Sequence, residues 1–97
     1  MKTKEEIFKT LAALNPELQS RYKVKEIGVF GSLVRGEQTA ASDVDLLVDF
    51  SEDADLFDLV GLSLFLEEKL RCKVDVVPKR ALRPEIRDAV LREVAAI

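Results

Sequence analysis

The sequence predicts an α/β domain in which helices alternate with three short strands. Three observations carry that expectation. Val44, Leu46, Val48 and Phe50 alternate with Asp43, Asp45, Leu47 and Asp49, which is the two-residue period of a strand with one apolar face. Ile7, Leu11, Leu14 and Leu18 recur at the three-and-four spacing of a helix with one buried face. Val24 to Phe30 and Cys72 to Val77 are short apolar runs, closed by Gly31 and Pro78 respectively. At 97 residues there is room for one domain and one modest core, so residues 1–97 are expected to form a single unit.

Taken in order, Thr3 to about Leu14 reads as an amphipathic helix. Asn15-Pro16 is expected to interrupt it, because proline disfavours helical geometry in the residue before it. Pro16 to about Tyr22 then reads as a second short helix, with Asn15 as its cap. Val24 to Phe30 is the first strand. Gly31 to Gly36 makes a tight turn or a single helical turn, and the small, polar Glu37 to Ala41 a loop. Ser42 to Phe50 is the clearest strand, suited to hold a helix layer below and a metal above. Ser51 to Asp55 is an acidic loop, and Asp55 caps a helix from Leu56 to about Leu70. That helix is apolar around much of its circumference, as expected of the main core helix with a partly exposed stripe. Cys72 to Val77 is the third strand, with Val74 and Val76 on one face and Lys73, Asp75 and Val77 on the other. Pro84 opens a last helix whose face is Ile86, Ala89, Val90, Val94 and Ile97. The chain carries no repeats and no low-complexity tract.

Composition narrows the function classes. Hydrophobic residues make up 47%, normal for a globular fold and too many for disorder. No apolar run is long enough to cross a bilayer, and Met1 to Glu6 does not read as a signal peptide, so a cytoplasmic protein is expected. One cysteine, Cys72, and no histidine argue against a zinc site and exclude an internal disulfide. A net charge of −3 argues against a large nucleic-acid-binding surface. Without histidine, proton transfer must use carboxylate, lysine, tyrosine, water or the substrate itself.

The chemistry centres on Val29 to Asp49. With 18 acidic residues in 97, about three acid-x-acid pairs arise by chance. Asp53 and Asp55 form one such pair and read as loop and helix cap. Asp43 and Asp45 differ in position: they open an apolar strand, on one face, after a small-residue loop. Carboxylates that close repel each other and raise each other's pKa unless a cation lies between them. Oxygen-only ligands suit magnesium, which keeps waters and binds substrate phosphates. Asp75 is the only acid in a valine-rich strand. It reads as an edge residue facing water, as a partner for Lys73 or Arg71, or as a third carboxylate on the same sheet face. Gly31 lets the backbone approach a ligand closely, Ser32 offers a hydroxyl and an amide, and Arg35 can pair with phosphate oxygens. The plainer role for Arg35 is a surface salt bridge to Glu37 or an aspartate.

Gly31-Ser32, Arg35-Gly36-Glu37, Ser42-Asp43-Val44-Asp45-Leu46 and the downstream Asp75 together resemble the minimal nucleotidyltransferases, which share the palm fold of DNA polymerase beta. Val34 stands where many relatives carry Ala, which puts nothing catalytic in doubt. The resemblance implies a small mixed sheet with helices packed mainly on one face. It implies that Asp43 and Asp45 hold two magnesium ions against the triphosphate of ATP. Asp75 would hold the metal nearest the attacking hydroxyl and help deprotonate it, and Gly31, Ser32 and Arg35 would grip phosphates. The partner implied is a HEPN-domain ribonuclease toxin, with this chain as the antitoxin that adenylylates a tyrosine on it. Competing readings are a binding module that neutralises its partner without catalysis, and transfer to a small molecule, against which the lack of an acceptor-binding domain argues. Self-association is left open. Tyr22, the only tyrosine, is expected to lie away from the metal face.

Overall fold

The computed structural model describes residues 3–37 and 43–97. Its helices are α1 (Lys4–Tyr22), α2 (Ser32–Arg35), α3 (Leu56–Leu70) and α4 (Pro84–Glu93), and a 3-10 turn spans Lys79–Ala81. Its strands are β1 (Val24–Phe30), β2 (Val44–Phe50), β3 (Val74–Pro78) and β4 (Ala95–Ala96). They form one sheet in the order β3-β2-β1-β4. β1 runs antiparallel to β2 and β4, whereas β2 and β3 are parallel. The sheet is therefore mixed, as the resemblance implies. A parallel pair needs a crossover, and α3 supplies it.

The alternation along β2 divides the molecule. Val44, Leu46, Val48 and Phe50 meet Ile7, Leu11 and Leu18 of α1 and Leu62, Phe65, Leu66 and Leu70 of α3 in the main core. On the opposite face Leu47 joins Leu82 and Val90 in a smaller cluster, with Phe30, Val77 and Val94 against it. Helices thus cover mainly one face. α4 covers part of the other, and Asp43, just before β2, stays exposed.

Three expectations need correction. Pro16 does not end the first helix: α1 runs unbroken from Lys4 to Tyr22 with Pro16 inside it, so Asn15 is not a cap. An internal proline costs a helix about 3 kcal/mol. Ile7 and Leu11 before it and Leu18 after it are all buried, and each such side chain contributes roughly 1.5–3 kcal/mol. One continuous buried face therefore outweighs the break. Second, the last helix stops at Glu93, and Ala95–Ala96 leaves it to pair with β1 opposite Val29 and Gly28. A Cβ on Gly28 would stand 2.6 Å from Val94 Cγ2, so this pairing relies on glycine. Third, the face expected for that helix does not hold together: Ile86 and Ala89 are exposed, Val90 and Val94 pack in the smaller cluster, and Ile97 lies against the main core.

Candidate active site

The site grows from the end of β1. Gly31 takes φ 79° and ψ −152°, a backbone shape that side chains rarely allow. A Cβ there would lie 2.0 Å from Asp45 Oδ2, so the turn is pressed against that carboxylate. The chain then makes the single turn of α2, closed by the Arg35 N–H donating to the Gly31 carbonyl at 3.2 Å and by Gly36 at φ 74°.

Strand register assembles the rest. Phe30 pairs with Asp45 across β1 and β2, and Asp45 pairs with Asp75 across β2 and β3. Phe30, Asp45 and Asp75 therefore form a row across adjacent strands, and Gly31, one residue past the end of β1, lies against the Asp45 carboxylate. Asp43 precedes Asp45 by two residues at the mouth of β2, on the same side. Asp43 and Asp75 are exposed and Asp45 is half-buried. Burial above all, then the charges of Asp75 and Asp43, push the Asp45 pKa above the ordinary aspartate value, while Arg35 pulls against them. Three carboxylates sharing one field repel one another, a repulsion that a hard cation with oxygen ligands would relieve. Among the described residues no group of three or more His, Cys, Asp or Glu side chains is placed to hold a metal ion. Asp45 and Asp75, opposite each other in the sheet, and Asp43 are the acids that this end of the sheet brings together.

Ser32 opens α2, partly exposed, directly after Gly31. Arg35 does meet Glu37, Nε to Oε1 at 3.1 Å, as its plainer reading expects. It also meets a residue that no sequence pattern singles out. Arg35 Nη1 donates to both carboxylate oxygens of Glu93, at 2.9 and 3.1 Å, and the Gly31 N–H donates to Glu93 Oε1 at 2.5 Å. Glu93 lies 62 positions from Gly31, so only the docking of α4 brings it here and no local spacing announces it. Asp75 forms no salt bridge to Lys73 or Arg71 among the described residues. Ser42 lies outside the described residues, as does most of the predicted loop before it.

The nucleotidyltransferase domain family matches residues 11–97, which takes in every one of these site residues. The chain belongs to that family. Its similarity to protein adenylyltransferase MntA of Thermococcus cleftensis is 48% identity over 97 residues, covering all of this chain and 98% of that protein. In three dimensions it is similar to a provisionally assigned minimal nucleotidyltransferase, with a TM-score of 0.87 and 38% identity over 99% of this chain and 97% of that one. It is also similar to a chain from a toxin–antitoxin crystal structure with AMP-PNP, with a TM-score of 0.69 and 25% identity. That match covers 98% of this chain and 72% of the other.

Proposed function

We propose that residues 1–97 act as one minimal nucleotidyltransferase domain, a magnesium-dependent protein adenylyltransferase. It transfers AMP from ATP to a tyrosine hydroxyl of a HEPN-domain ribonuclease toxin, and so serves as its antitoxin in the cytoplasm. The observation that carries this reading is the pair Asp45 and Asp75, set opposite each other by strand register, with the Gly31 turn against Asp45 and Asp43 two residues before it. The name of the Thermococcus relative and the toxin–antitoxin neighbour with AMP-PNP support the reaction class and the kind of partner. Among the described residues no helix is long and apolar enough to cross a membrane.

In this reading Asp43, Asp45 and Asp75 would hold two magnesium ions. When bound, the ions neutralise the triphosphate and stabilise the entering and leaving oxygens. Gly31, Ser32 and Arg35 face the phosphates. Asp75 accepts the proton of the attacking hydroxyl as its oxygen bonds the α-phosphorus. The bond from that phosphorus to the bridging oxygen breaks, and pyrophosphate leaves. No histidine is required. Tyr22 packs at a tilt against Phe65, ring centroids 5.3 Å apart, in the layer behind the sheet, so it is not an acceptor in its own site.

The test is transfer from ATP labelled at the α-phosphate to the purified partner. Label should appear on the partner with magnesium and vanish with Asp45→Asn. Neutralisation of the partner without any label would favour the binding-module reading. That reading draws on the exposed apolar stripe of α3, Leu56, Phe57, Val60 and Leu64.

A further inference from the structure

Glu93 ends α4, where the helix macrodipole disfavours an anion. It also stands beside an acidic site, and its charge is among those that disfavour ionised Asp45. Two donors compensate it. The Gly31 N–H reaches Oε1 at 2.5 Å, and Arg35 Nη1 reaches Oε1 and Oε2 at 2.9 and 3.1 Å. The Glu93 side chain is only 24% exposed, so these contacts are partly shielded from water. They are the same two donors that the reading above assigns to phosphate. A carboxylate and a phosphate compete for such donors because both offer paired anionic oxygens to a backbone N–H and a guanidinium.

We propose that Glu93 is a specificity-determining residue of the nucleotide site. Its carboxylate holds the phosphate contacts of Gly31 and Arg35 until a metal-complexed triphosphate displaces it. The inference rests on the nucleotidyltransferase reading and deepens it. A polyphosphate without magnesium must take two donors from Glu93 and then lie beside that carboxylate as well as Asp43, Asp45 and Asp75. Magnesium lowers the charge of the entering nucleotide and gives the aspartates a cation. Glu93 thus widens the difference between complexed and uncomplexed anions.

Titration calorimetry on the whole chain tests this with three probes: ATP alone, ATP with magnesium, and inorganic tripolyphosphate alone. Glu93→Gln keeps an oxygen for the Gly31 N–H and removes the charge. It should bind tripolyphosphate and magnesium-free ATP about tenfold more tightly than the parent, and ATP with magnesium with a much smaller gain. With Arg35→Ala already present, Glu93→Gln should gain less, because one of the two contested donors is gone. Glu93→Asp, one methylene short, should shift affinity in the same direction by less, and it serves if the glutamine variant fails to fold. Unchanged or weaker binding of the metal-free anions in the folded variants overturns the proposal and marks Glu93 as a support for Arg35. If the parent ignores ATP with magnesium while Glu93→Gln still gains tripolyphosphate, the nucleotide reading falls and the hold of Glu93 on these donors stands. If the parent binds ATP with magnesium and Glu93→Gln gains nothing, the nucleotide reading stands and the role given to Glu93 falls.

Discussion

Asp45 holds its proton more tightly in the fold than in the unfolded chain, because burial, then Asp75 and Asp43, disfavour its charge. A raised folded pKa favours the native state below the unfolded aspartate value of about 3.9. That contribution is lost as pH rises through the folded value. At neutral pH without magnesium, Asp45→Asn should therefore be more stable than the parent in urea titrations, and the gap should close as pH falls toward 4. A gap that widens in acid would mean that Asp45 is held by a favourable partner instead. Gly31→Ala should cost about 1–3 kcal/mol from backbone strain alone, with more from the clash at Asp45 Oδ2. Its denaturant midpoint reads this directly, and a neutral result would show that the turn can re-form without contact to Asp45. Asp43 and Asp45 were legible as a pair because a two-residue period shows which acids share a strand face, whereas Asp75 lies on another strand and its place opposite Asp45 needed the strand order. Glu93 was not, since its meaning depends on a contact made only when α4 docks.

Among the elements, α3 has the sharpest division between its sides. Leu62 is fully buried, whereas Leu64 is 63% exposed two residues on. Leu62→Ala should cost about 2–5 kcal/mol, and Leu64→Ala should stay within about 0.5 kcal/mol. Equal losses in thermal unfolding would show that the exposed stripe is packed in solution. The cap read from sequence is present: Asp55 accepts from the Asp58 N–H at 3.0 Å, and Asp58 accepts in return from the Asp55 N–H at 3.0 Å. Asp55→Ala should cost about 1 kcal/mol. Helix α3 and strand β2 could be read because cap, period and length agree. Pro16 misled because a local rule met a longer-range one: the buried face of α1 continues on both sides of it. The short β4 offered too little pattern, since two alanines carry no period.

For the molecule as a whole, the strand order sets the chemistry. Parallel pairing of β2 with β3 puts Asp75 opposite Asp45, and antiparallel pairing with β1 puts Phe30 on the other side of it, so that the turn at Gly31 begins beside its carboxylate. The periods in the sequence supply the strands but not their order, which here comes from the family resemblance and then from the structure. A ligand that binds only the folded state raises its melting temperature by mass action. ATP with magnesium should therefore raise it well above ATP alone, because uncomplexed triphosphate must face the carboxylates. Equal shifts would place nucleotide elsewhere. The most direct test of the central claim is intact and peptide mass spectrometry of this chain and its partner after incubation with ATP and magnesium. The account predicts added AMP on a tyrosine of the partner, little on this chain, and none on either with Asp45→Asn. AMP mainly on Tyr22, or a partner fully neutralised with no added mass, would contradict it.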